Sequence, residues 1–253
     1  MLDYDKEARA YDASRGGEPR AQAAAEAVLR LLPDRSGDAP GRLLDVACGT
    51  GIVTRRLVEA RPDLRVAGAD LAPAMTRMAA ARLPGAVLTA DSRRLPFADA
   101  TFDAVTSVWL LHLLEDAADV RAIVAECARV LRPGGVYVTT VDKTDAHDVG
   151  SDIDAVLARR PGVPAQDAGD TVAAYAAEHA LAPAGQATFP GVGQGRSPRS
   201  AIGDLRRGWF TLLPPGDPRI EEFAAELSLL PDQDRPRPDP RFTVRAFRKP
   251  PAG

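Results

Sequence analysis

Apolar positions along this chain change their period several times, and the changes mark its elements. In EPRAQAAAEAVLRLL (residues 18–32) Ala21, Ala24, Val28, Leu29 and Leu32 recur on one helical face, and Pro19 suits a first helical turn. PDRSGDAPG then breaks the pattern. From residue 42 to about residue 141, short apolar runs alternate with amphipathic stretches. The runs RLLDVA, LRVAGAD, AVLTAD, FDAVTSVWLL and GVYVTTVD read as strands, and 52–60, 73–82 and 117–131 read as helices. In the last of these helices Val120, Ile123, Val124, Cys127 and Leu131 keep helical spacing. Strands interleaved with helices predict a parallel sheet covered on both faces, an α/β architecture.

Beyond residue 142 the periodicity is weaker. Segments 150–159, 170–181 and 219–230 read as helices, and so does SPRSAIGDLRRGWFTLL. QATFPGVG and the alternating FTVRAFRK read as strands that complete the sheet as a hairpin, with PDQDRPRPDPR as a loop before the second. There is no internal repeat. The reading is one domain over 1–253, divided into an N-terminal helical part (1–41), a sheet core (42–141) and a C-terminal part (142–253).

Composition narrows the function classes. A formal net charge of -3, with arginines scattered among carboxylates, argues against a nucleic-acid backbone binder. No apolar run approaches the ~20 residues that span a bilayer. Two cysteines, Cys48 and Cys127, lack metal-ligand spacing, so no metal is expected. A reduced, cytoplasmic protein is the starting expectation.

Candidate chemistry collects at the carboxyl ends of the expected strands, where open parallel sheets bind ligands. LLDVACGTGIVTRRL (residues 43–57) places Asp45 before a hook in which Gly49 and Gly51 allow a close backbone approach. The helix that follows points free amides into the hook. Asp70 stands about 20 residues further on, the separation at which a second-strand carboxylate takes ribose hydroxyls. It also reads as a helix cap before LAPAM. Asp91-Ser92, after AVLTA, suits an adenine edge or a plain loop.

DVACGTG, VAGADLAPAM, LTADSRRLPFADATFDAV and ARVLRPGGVYV, in this order, resemble class I S-adenosylmethionine-dependent methyltransferases. More narrowly, they are similar to the small-molecule branch that includes the ubiquinone and menaquinone biosynthesis enzymes. The preceding YDKEARAYDASRGG is similar to that branch's N-terminal lid. The resemblance implies a Rossmann-like, doubly wound, seven-stranded sheet with an antiparallel final strand and helical lid insertions. It also implies S-adenosyl-L-methionine as cofactor. Asp45, Ala47, Cys48 and Gly49 would line its methionine half, with Gly51 allowing the turn behind. Asp70 would take the ribose, Leu71 would lie on the adenine, and Asp91 and Ser92 would meet its amino edge. Met75, Val108, Tyr11 and Arg15 complete the implied cofactor set. Ala47 departs from the usual glycine. A ligand that joins a nucleoside to an amino acid through a cationic sulfur suits a hook flanked by carboxylates better than a diphosphate does.

The methyl acceptor is expected to be a small molecule, with O, N or C as nucleophile. His112, in SVWLLHLLED, and His147, in VDKTDAHDVG, are the candidate bases, though each also reads as a residue that shapes or caps its loop. Tyr4, Trp109, Phe189, Arg196, Trp209 and Phe210 are the candidate acceptor walls. GVGQGRSPRS is glycine-rich but lacks the Lys-Ser/Thr ending of a phosphate loop. The competing readings are a nicotinamide-dependent dehydrogenase and a non-catalytic cofactor-binding partner protein. A monomer and a homodimer fit the sequence equally.

Overall fold

The computed structural model describes residues 12, 16–33, 41–161, 165–208, 213, 214 and 216–252. In chain order the elements are α1 (Gly17–Leu29), β1 (Gly41–Val46), α2 (Ile52–Ala60), β2 (Leu64–Asp70), α3 (Pro73–Arg82), β3 (Val87–Thr89), β4 (Phe102–Ser107), α4 (Ala117–Val130) and β5 (Leu131–Val141). They continue with α5 (Asp152–Leu157), α6 (Gly169–Glu178), β6 (Ala182–Pro190), α7 (Pro198–Arg206), α8 (Pro218–Ser228) and β7 (Arg241–Arg248). The strands form one seven-stranded sheet in the order β3-β2-β1-β4-β5-β7-β6. Only β7 is antiparallel to its neighbours. This is the Rossmann-like sheet with an antiparallel final strand that the motif order implies.

Successive strand residues feed opposite faces, as a strand's period of two requires. Leu43, Ala104, Val136, Val138 and Val244 pack with Ala24, Val28, Val53 and Leu57 from α1 and α2. Leu44, Val105, Tyr137 and Phe247 pack with Val120, Val124, Cys127 and Ala176 from α4 and α6. Burial on both faces is why LLDV is an unbroken apolar run apart from its aspartate. A third cluster, Ile153, Leu157, Ala201, Leu205, Ile220, Phe223 and Leu227, joins α5, α7 and α8 to one another.

Several boundaries differ from the sequence reading: the strand read over FDAVTSVWLL ends at Ser107, with Leu111–Leu113 in a 3-10 turn, and the helix read over SPRSAIGDLRRGWFTLL ends at Arg206. The chain is extended from Leu131 onward, so Arg132–Gly135 is not a plain turn before the strand. Phe102 pairs with Leu131 and Ala104 with Val136, so these residues form an irregular bulge against β4. β6 begins at Ala182 rather than Gln186, because an edge strand tolerates the prolines and glycine of APAGQ. Finally, β6 and β7 are antiparallel neighbours, but α7 and α8 lie between them in sequence, so the pair is not a tight hairpin. No helix among the described residues is long and apolar enough to cross a membrane.

Candidate active site

Strand order reverses at β1, whose neighbours are β2 and β4, so a crevice is expected beyond the carboxyl ends of these strands. There the chain takes three left-handed residues within five positions: Ala47 (φ 56°), Gly49 (φ 56°) and Gly51 (φ 74°). At Ala47 this conformation costs about 1–2 kcal/mol, a strain of the kind found at ligand sites. The two glycines serve different ends. A Cβ at Gly49 would meet nothing within 4 Å, so this part of the hook faces open space. A Cβ at Gly51 would lie 3.1 Å from both Cα and Cβ of Ala79, so its absence lets α3 press against the hook.

The hook is fixed to β2. Cys48 N donates to Ala69 O at 3.0 Å, and Gly49 N donates to Asp70 Oδ2 at 2.8 Å. Asp70 Oδ1 accepts from Ala72 N at 2.9 Å. The Asp70 carboxylate thus holds the amide of Ala72, the residue just ahead of α3, and also braces the hook, while Leu71 beside it is 62% exposed. An uncovered leucine beside a strand-end carboxylate suits an apolar base above and ribose hydroxyls next to it.

Asp45 is 3% exposed, and its Oδ2 and Oδ1 accept from Thr54 Oγ1 at 2.5 Å and Thr106 Oγ1 at 2.9 Å. Burial raises its pKa to about 6 against the pull of these two hydroxyls, and the negative charge of Asp70 adds to the rise. Cys48 is buried, and desolvation together with Asp45 and Asp70 pushes its thiol well up. Two carboxylates that feel each other across the hook favour a ligand with positive charge and disfavour a diphosphate. On this donor set the residues present fit S-adenosylmethionine.

The residues expected to meet the adenine are placed less openly. Asp91 Oδ1 accepts from Arg93 N at 2.9 Å, and the Arg93 guanidinium donates to both Asp91 oxygens and to Asp119. The Arg93 side-chain bond holds the Asp91 pKa down. Ser92 is buried at 8% exposure. Met75 lies in α3 at 2% exposure, and Val108, just past β4, belongs to the core packed on α1 and α2.

Of the residues expected to meet an acceptor, Trp109 follows β4 in a left-handed conformation (φ 61°), its amide donating to Thr140 Oγ1 at 3.0 Å. The Arg20 guanidinium carbon stacks 3.4 Å from the Trp109 ring centroid, and Phe189 and Phe242 pack edge-on against the same ring. Phe189, expected as an acceptor wall, is 1% exposed and packs in the core with α1, so it presents no surface to an acceptor. His147 ends the 3-10 turn Asp145–His147 beyond β5, 5.5 Å from Phe242 between ring centroids. Its Nε2 is 3.3 Å from Lys143 Nζ. An ammonium has no acceptor, so the imidazole accepts here. Arg196 and His147 line one shallow crease. His112 is in the 3-10 turn Leu111–Leu113, with Nδ1 shielded from solvent. Tyr4, Tyr11, Arg15, Trp209 and Phe210 lie outside the described residues.

Sequence reasoning missed Thr54, Thr106, Arg20, Lys143 and Phe242. Thr106 pairs with Asp45 in the parallel register of β1 and β4, which no linear spacing reveals. The amides of Gly193, Gln194 and Gly195 donate to Asp239, so an internal carboxylate occupies the glycine-rich stretch. A cavity of about 160 Å³ opens at the amino ends of β2 and β4, across the sheet from the hook, and takes no part in this site.

A family model described as a methyltransferase domain matches residues 44–139. The ubiquinone/menaquinone biosynthesis C-methyltransferase of Desulfotalea psychrophila is 38% identical over 110 residues, 42% of this chain and 44% of that protein. The chain thus spans less than half of that relative's length. A chain of the complex between the Haloferax volcanii Trm112 methyltransferase activator and its putative methyltransferase shares the fold. It has a TM-score of 0.62 and 17% identity, with 99% of both chains covered. So does the (4+2)-cyclase SpnF, with a TM-score of 0.56, 19% identity and coverage of 98% and 94%. Residues 44–139, which carry the hook, Asp70 and Asp91, are a class I S-adenosylmethionine-dependent methyltransferase domain that resembles those of the ubiquinone and menaquinone methyltransferases.

Proposed function

We propose that this chain transfers a methyl group from S-adenosylmethionine to an O, N or C nucleophile of a small organic molecule and releases S-adenosylhomocysteine. The observation that carries the reading is the hook itself. Gly49 faces open space while its amide donates to Asp70, and an uncovered Leu71 stands beside that carboxylate at the end of β2. When bound, the cofactor supplies a methyl group already activated on a cationic sulfur. The chain's part is then to orient the acceptor and exclude water. The Trp109–Phe189–Phe242 cluster supports the acceptor side from beneath, because both phenylalanines are buried and Arg20 covers one face of Trp109. His147 is the better base of the two histidines. It accepts from Lys143 at the end of β5, and an acceptor hydroxyl replacing Lys143 at Nε2 would meet an imidazole able to take its proton. Both cysteines are free and buried, in keeping with a reducing cytoplasm, and the enzyme acts as a monomer or homodimer.

Thermal unfolding with each cofactor tests the reading. S-adenosylhomocysteine at a hundred times its Kd should add about 2.7 kcal/mol. For a chain of this size that raises Tm by roughly 5–10 °C. NAD should leave Tm unchanged, and the reverse result would restore the dehydrogenase reading. Because a cyclase shares this fold, binding alone does not establish transfer. Labelled methyl transfer to a panel of phenols, quinols, amines and carboxylates does, and absence of transfer to all of them would favour a non-catalytic protein.

A further inference from the structure

One carboxylate outside the sheet closes a triangle on the hook. Asp12 Oδ1 accepts from Thr50 Oγ1 at 2.6 Å, and Asp12 Oδ2 accepts from Arg82 Nη2 at 2.6 Å. Arg82 Nη1 in turn donates to Thr50 O at 2.6 Å. Each of the three residues therefore bonds the other two. Thr50 is 1% exposed, whereas the Asp12 and Arg82 side chains are 19% and 24% exposed. An isolated surface ion pair contributes little. This pair differs because both partners also hold one buried residue, through its hydroxyl and its carbonyl, in charge-assisted bonds.

The residue so held is the one that most needs it. Thr50 stands between Gly49 and Gly51, both left-handed, and glycine restrains the backbone least of all residues. On the inner side the hook is tied through Cys48 to Ala69 and through Gly49 to Asp70. On the outer side, the Asp12–Arg82 pair fixes the peptide that joins the two glycines. Arg82 ends α3, the helix whose preceding residue Ala72 is held by Asp70, so the triangle also sets the distance from the hook to the far end of that helix.

We infer that Asp12 is a positioning residue for the cofactor. It keeps Thr50, and through it the open face of Gly49, in the shape the ligand requires, so that the chain ahead of α1 contributes to cofactor affinity. The inference rests on reading the hook as the S-adenosylmethionine site.

Calorimetric titration of S-adenosylhomocysteine into wild type, Asp12→Ala, Thr50→Val and the double variant tests it, alongside steady-state kinetics and thermal unfolding. Each single change should weaken binding about tenfold, the loss expected for a charge-assisted bond. The double variant should be within about twofold of either single one, because both remove the same contact. Asp12→Asn keeps an acceptor for Thr50 and loses the charge facing Arg82, so it should fall between wild type and Asp12→Ala. The KM for S-adenosylmethionine should rise while kcat at saturating cofactor stays within about twofold. Variants with lowered Tm but unchanged Kd would overturn the inference and leave Asp12 a structural brace. If wild type fails to bind S-adenosylhomocysteine, the functional reading falls and the inference falls with it. Should Asp12→Ala not fold, Asp12→Asn and Thr50→Val give the same decision.

Discussion

Asp45 is the residue at which burial, charge and ligand preference meet. Its carboxylate is 3% exposed and is held by hydroxyls from α2 and β4. Its pKa rises from 3.8 to about 6, so the native state binds its proton more tightly than the unfolded chain does. The stability linked to this group is therefore fully present below pH 3.8 and is lost as pH rises through about 6, a total of about 3 kcal/mol. Asp45→Asn removes the titration and keeps a donor and an acceptor for the two threonines. Measured by urea unfolding, the stability of Asp45→Asn minus that of wild type should climb by about 3 kcal/mol between about pH 3.5 and pH 7. A difference that stays flat with pH would show that Asp45 is not charged at a cost. Asp45 was legible in the sequence because an acidic residue ending an apolar run before a glycine hook is conspicuous. Thr54 and Thr106 were not, since they reach it only through the winding of α2 and the register of β1 with β4.

At the scale of elements, the first half of the sheet could be read from periodicity because each strand and helix there is buried by the same two layers. α2 and α3 run over Ile52–Ala60 and Pro73–Arg82, the segments that the apolar spacing marks. Legibility failed where a neighbouring element decides the conformation. β5 is extended from Leu131 because α4 stops at Val130 and β4 tolerates a bulge, neither of which is written in RPGG itself. Gly51 shows such a dependence from the other side. A side chain there would stand 3.1 Å from the α3 backbone at Ala79 and would hold a left-handed φ of 74°. Strain and overpacking together should make Gly51→Ala about 2–4 kcal/mol less stable in denaturant unfolding. The cost should appear also as weaker S-adenosylhomocysteine binding, because α3 and the hook must part. An unchanged affinity would mean that the α3 contact and the ligand face of the hook are independent.

Across the whole molecule, the same sheet carries two kinds of packing, and this explains why the later half of the sequence reads poorly. The two sheet-facing cores impose periods of two on strands and 3.6 on helices. In the third cluster, α5, α7 and α8 bury their apolar faces against one another, so their sequences answer to a local helical arrangement rather than to the sheet. Local packing of this kind predicts separable stability. Leu205, fully buried in α7, is one of its members. Leu205→Ala should cost about 2–5 kcal/mol locally, as truncation of a buried leucine does. Hydrogen exchange should then accelerate in peptides covering α5, α7 and α8 and remain unchanged in β1, α2 and β2. S-adenosylhomocysteine affinity should stay within about twofold, because no residue of this cluster bonds the hook. Faster exchange throughout the sheet, or a lost cofactor site, would mean that the insertions and the sheet unfold as one unit. Acceptor turnover is the property that should respond. His147 and Arg196 share their crease with Ile153, a member of this cluster, so loosening it should raise the KM for the acceptor while the KM for S-adenosylmethionine holds.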